Sequence, residues 1–391
     1  MKKISLMSMM LLGLFVFSSC EKDDDSNPTL QTPAEGSFVL NKPAAAEHNT
    51  YDLASSSTLE LTVSQPNYGY TAPVTYAVQV ATKEDFSNMT ELATVYSKAR
   101  MDVDASEIAV AVTQQLVDEG NDESAFPMTT PVYVRVRAFI TDSQNTIPGT
   151  EILSNIVLLN SVKVAFSLPP LNVPEELYVI GSFTGWNWDT SLKAAHLYGA
   201  RNAGNTEDTY WHLVYMDSDN GIKFNGKTAW DGGQVGYEQA NSVVAPSGVT
   251  VSADKDGNFV ADKGGWFLMI VKASVQGRKI AYDVDFQEPN VYIIGWATGS
   301  EWGSENPDDW KCTVPSTMGG EFVSPSLHAS KADQGLRAYV KIGTHDPWHA
   351  EFMVFDKKIV YRGSGGDQER VQCDEGQKLY LNFSNDTGKI E

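Results

Sequence analysis

The chain has 391 residues, a formal net charge of −21, a pI near 4.6 and only three cysteines. That charge argues against nucleic acid or an anionic surface as partner, whereas a neutral ligand meets such a surface without penalty. So few cysteines also exclude a scaffold built on disulfides.

The N-terminus sets the compartment. Lys2 and Lys3 precede an apolar run from Ile4 to Phe17, which is too short to cross a bilayer core of about 30 Å as a helix. It reads as a secretory signal. Ser18 and Ser19 before Cys20 form a lipobox, so Cys20 is expected to be acylated and to become the mature N-terminus. The alternative is an ordinary signal peptide with a cysteine near its cleavage site. Glu21, Lys22, Asp23, Asp24 and Asp25 follow as a solvated tether that cannot pack. No later stretch is apolar enough to span a membrane, so the acyl chains would be the anchor. These features set residues 1–19 as signal peptide and 20–29 as lipidated cysteine and acidic tether.

Residues 30–166 read as β. Val74, Tyr76, Val78 and Val80 alternate on one face of a strand. Val132, Val134, Val136, Ala138 and Ile140 do so on another, with Arg135 and Arg137 facing out. Ile108, Val112 and Leu116 lie four apart behind Asp104 or Ser106 as cap, which predicts a short helix. The sum is an immunoglobulin-like or fibronectin-like sandwich. A Pro-rich, stiff linker begins at Ser167.

Beyond the linker the chain repeats itself. ELYVIGSFTGWNWD, ending at Asp189, matches NVYIIGWATGSEWG, ending at Gly303, with Gly181, Thr184, Gly185 and Trp188 set against Gly295, Thr298, Gly299 and Trp302. GIKFNGKTAWDGG from Gly221 matches YVKIGTHDPWHAE from Tyr339 without a gap, placing Lys223 on Lys341 and Trp230 on Trp348. The fold class is therefore all-β, with three tandem sandwich domains: the first at 30–166 and two homologous modules at 172–286 and 287–391.

The tryptophans and lysines form a candidate site in each copy. Trp188 and Trp230 lie in polar loops, and strand parity points Lys223 away from the core between Ile222 and Phe224. Val340, Lys341 and Ile342 follow the same parity. An indole covers the C–H face of a pyranose while Lys, Asn or Asp hydrogen-bonds its hydroxyl rim. Trp188, Lys223, Trp230, Trp302, Lys341 and Trp348 are thus the candidate carbohydrate-binding residues, with Trp188 expected exposed. Two angled aromatics suit a curved oligosaccharide. Against this, Trp186, Trp211, Trp266 and Trp296 fit core positions, Trp310 competes with Trp302, and both lysines are open to a reading as solvated strand residues.

Other chemistries lack their residues. No carboxylate pair recurs beside the tryptophans as hydrolysis of a glycosidic bond requires. His345 and His349 lie four apart, but Pro347 opposes a helix that would bring them onto one metal. DSDNG at Asp217 and DKDGN at Asp254 fit hairpin turns better than calcium loops. No cofactor motif is present. A spacer or protein-docking surface module is the remaining rival class.

The leader with Cys20 and its acidic tag, QPNYGYTAPVTYAVQVAT in the first domain, and TGWNWD with KFNGKTAWDGG in the modules together resemble the SusE/SusF family. These are surface starch-binding lipoproteins of the Bacteroides starch utilisation system. The two modules fit the shorter, SusE type. The resemblance implies a ligand-free immunoglobulin-like first domain and two starch-binding modules without enzymatic activity. It also implies an outer-membrane lipid anchor facing outward, starch and maltooligosaccharides as partners, and neighbours that include a surface amylase and an import complex. Cys312 and Cys373 are left as either a bridge or two thiols.

Overall fold

The computed structural model describes residues 29–44, 46–142, 145–300, 307–330 and 335–391. It divides between Pro169 and Pro170 into two compact units. No helix among the described residues is long and apolar enough to cross a membrane.

In the first unit, the strands Tyr51–Asp52, Val157–Val164, Met128–Phe139, Thr75–Ala81 and Thr90–Tyr96 lie side by side in that order. Val78 and Val80 pair with Val136 and Val134, which aligns the apolar faces that alternation predicts. Outside, Arg137 bridges Glu91 and Glu151 at 2.6 and 2.7 Å. The helix Ala105–Asp118 buries Ile108, Val112 and Leu116 on one stripe, and Asp104 caps it by accepting from the Ser106 amide. The turn at Asn67 carries Tyr68 fully inside, where its hydroxyl donates to the Thr150 carbonyl at 2.8 Å.

In the second unit, the first repeat is a two-layer sandwich. One sheet orders Leu192–Lys193, Tyr178–Gly181, Ile222–Asn225, Phe259–Ala261 and Val251–Ala253. The other orders Ala195–His196, Glu207–Met216, Gly265–Gln276, Lys279–Gln287 and Ser242–Val244. Val179, Phe224 and Phe259 meet Val214, Phe267 and Phe286 in the core between them. The long strands Glu207–Met216 and Gly265–Gln276 are apolar on both faces, as a strand covered on both sides must be. Trp211, Leu213, Trp266, Leu268 and Ile270 share a second core with Ile293, Ala338, Phe352 and Phe383 of the second repeat. That repeat contributes a seven-stranded sheet, ordered Val291–Gly295, Leu336–Val340, Glu351–Phe355, Lys358–Tyr361, Thr387–Ile390, Leu379–Asn382 and Phe322–Val323. Cys312 and Cys373 are buried free thiols, and burial pushes Cys312 up to about 12.

Candidate functional site

The repeated glycine–threonine motif shapes each loop in the same way. The strand ends at Gly181 or Gly295, and the Thr184 or Thr298 hydroxyl donates back to that glycine's carbonyl at 2.9 Å. A short 3-10 turn follows and closes on a left-handed glycine, Gly185 (φ 60°) or Gly299 (φ 81°). Only glycine enters that conformation without strain.

In the first repeat this loop delivers Trp188 beneath Trp230. The rings meet edge to face at 5.2 Å and 66°. Trp230 is 57% exposed but Trp188 only 8%, which corrects the expectation that Trp188 is exposed. Strand alternation does not apply here, because Trp186 takes a left-handed backbone (φ 58°) and Trp188 opens a second 3-10 turn. Trp188 therefore supports Trp230 from below, and its Nε1 has no hydrogen-bond partner among the described residues. Asn225 holds the Trp230 loop by donating to the Ala229 carbonyl and to Asp231, both at 3.0 Å. Lys223, half-buried on the neighbouring strand, donates to the Asp256 carbonyl at 2.7 Å.

The second repeat departs from the sequence alignment. Gly181 pairs with Ile222 and Ile180 with Lys223, whereas Gly295 pairs with Leu336 and Ile294 with Arg337. The position of Lys223 is thus filled by Arg337. Lys341 lies past the strand end and is exposed, with Val340 and Ile342 buried beside it. The ungapped match was drawn from the lysine and the tryptophan, but the hairpin before Trp348 is four residues longer than the one before Trp230. Trp302 and Cys20 lie outside the described residues.

Trp348, 38% exposed, stands at a cavity of about 670 Å³ lined also by Trp296, Arg337, Asp346, Arg362 and Asp367. Arg337 donates to Glu351 at 2.5 Å and to Asp367 at 2.7 Å, and Arg362 donates to the same Glu351 oxygen at 2.7 Å. Among the described residues, neither guanidinium Nε nor the Trp296 indole nitrogen has a hydrogen-bond partner, and all three atoms are buried. Sequence reasoning missed Arg337 and Arg362 and left Trp296 among core candidates. Alignment from the glycine turn instead of from the tryptophan finds Arg337.

The remaining sequence motifs resolve without a ligand. Asp217 and Asp254 accept amide hydrogens within their own turns, from Asn220 at 2.7 Å and Asn258 at 2.9 Å. The His345 and His349 rings approach to 5.0 Å, with Pro347 opening a 3-10 turn, where proline is tolerated. No group of three metal-binding side chains occurs among the described residues.

The chain is also similar in sequence to known proteins. Residues 176–283 and 290–389 match the model for SusF/SusE starch specific CBMs, and residues 22–137 match that for SusE outer membrane protein. Outer membrane protein SusF of Bacteroides thetaiotaomicron is 35% identical over 230 residues, 58% of this chain and 45% of the relative. The match thus spans less than half of that relative's length. The solved structure of SusF from the same species covers 92% of this chain and 100% of that one, at 18% identity and a TM-score of 0.40. With two matched stretches that together take in more than half of its residues, the chain belongs to the SusF/SusE family of starch specific carbohydrate-binding modules.

Proposed function

We propose that the protein is a non-catalytic starch-binding lipoprotein of the outer membrane, anchored through Cys20 and facing outward. It captures α-1,4-glucan and maltooligosaccharides for a surface amylase and an importer. One observation carries this reading: each repeat presents an exposed tryptophan, Trp230 or Trp348, and carries a cation at the same strand position, Lys223 or Arg337. Aromatic face and polar rim are what a pyranose requires. The carboxylates of the second cavity are engaged as acceptors: Glu351 by two arginines, Asp367 by Arg337 and Arg370, and Asp346 by the Trp348 indole at 3.3 Å. Groups committed in this way favour holding a sugar over hydrolysing it, which needs one free acid and one free base.

Each site is expected to hold an oligosaccharide at about 0.1 to 1 mM, and two sites on one tethered chain raise retention of a long polymer. Native electrophoresis of the chain lacking residues 1–20 tests this. Gels containing amylopectin or glycogen should retard it and gels containing dextran should not. Trp230→Ala should weaken retention, and Trp230→Ala with Trp348→Ala should nearly abolish it. Full retention by the double variant would remove both platforms from the site.

A further inference from the structure

The second cavity has one wall that its own repeat does not supply. Tyr198 belongs to the first repeat, in the turn after the strand Ala195–His196. Its amide donates to the His349 carbonyl at 2.9 Å, across the junction between the repeats. Its ring meets that of Trp348 at 4.9 Å and 65°. Arg362 lies over both, 5.0 Å from the Tyr198 ring and 5.1 Å from the Trp348 ring. A single guanidinium therefore orders two aromatics drawn from two repeats.

The placement is held from below. Leu197, next in the chain, is buried in the shared core, and its carbonyl accepts from Ala200 to close the turn. Beneath the junction, Trp211 of the first repeat packs on Tyr361 and Phe352 of the second at 5.2 and 6.0 Å. Packing of this kind fixes position to within a rotamer.

Resting on the glucan-binding reading of this cavity, we propose that Tyr198 is a sugar-contacting, specificity-determining wall of the second site. That site is then complete only when both repeats are packed together. Beside Trp296 and Trp348, Tyr198 adds a further aromatic surface, inclined to Trp348, so a chain that turns between successive glucose rings meets both Tyr198 and Trp348, whereas a flat ribbon meets one. The first repeat thus has two duties: it carries its own platform at Trp230 and it finishes its neighbour's.

The test uses the chain lacking residues 1–20 with Trp230→Ala to silence the first site, and calorimetric titration with maltoheptaose. Tyr198→Ala should weaken binding about fivefold to tenfold, the range expected for loss of one aromatic contact. Tyr198→Leu, which keeps apolar bulk against Trp348 but removes the ring face, should weaken it equally. Tyr198→Phe should bind within about twofold of its parent. Parental affinity in Tyr198→Leu would make the ring mere packing and overturn the inference. So would unchanged binding in Tyr198→Ala where Trp348→Ala abolishes it, with the glucan site itself left standing. If Trp348→Ala also leaves binding unchanged, the second site is misplaced and both readings fall.

Discussion

Arg337 and Glu351 are 7% and 4% exposed, so each depends on the other for its place in the interior. Removing Glu351 leaves two buried guanidinium groups short of an acceptor, with Arg337 held only by Asp367 and the Gln368 carbonyl. Glu351→Ala should therefore lower the unfolding free energy by about 3–5 kcal/mol in urea titrations, since Arg337 and Arg362 both lose their shared acceptor. A loss below about 1 kcal/mol would mean that water reaches the pair. The same residues show what the sequence left hidden. Lys341 and Arg337 are both cations on one segment, and only strand pairing tells which of them faces the site. Strand alternation does not reveal that Trp188 is buried against Trp230, because the left-handed Trp186 breaks that alternation.

At the scale of elements, legibility was high wherever periodicity or turn chemistry governs. The helix at Ala105–Asp118 with its Asp104 cap, the alternating strands of the first unit and the repeated glycine–threonine loop all follow from local rules. What local rules miss is close approach between elements. A Cβ on Gly236 would lie 2.0 Å from the Gly257 carbonyl oxygen and 3.0 Å from Lys223 Cε. Its φ of −112° is ordinary, so the demand for glycine here is steric. Gly236→Ala should consequently lower stability by about 1–3 kcal/mol and force Lys223 aside. Glucan affinity at the first site should fall with it, while a Trp230→Ala background, which reports the second site alone, should show no change. Equal losses at both sites would mean that the strain spreads through the shared core.

On the scale of the whole molecule, the two repeats join through a buried polar contact as well as an apolar core. His212 of the first repeat is fully buried and lies 3.2 Å from Asp386 of the second. Tyr361 donates to Asp386 at 2.7 Å and lies 3.1 Å from His212 Nε2, while His212 Nδ1 meets the Leu213 carbonyl at 2.7 Å. Burial by itself would push the His212 pKa down, but the Asp386 charge and hydrogen bond, with the Leu213 carbonyl, outweigh it and raise the pKa above 6.5. The folded state therefore keeps a proton that the unfolded chain releases. This contribution to stability is fully present below pH 6.5 and is lost as pH climbs through the raised value, with a slope of at most about 1.4 kcal/mol per pH unit. The urea midpoint should fall between pH 6 and pH 9, where Tyr361 stays neutral because burial and Asp386 hold its hydroxyl well above 10. His212→Gln should be less stable at pH 6 and lose most of that slope. An unchanged slope in this variant would show that the junction carries no proton of its own. Because the contact spans both repeats, its loss should act on a single unfolding transition of residues 170–391, not on one repeat alone.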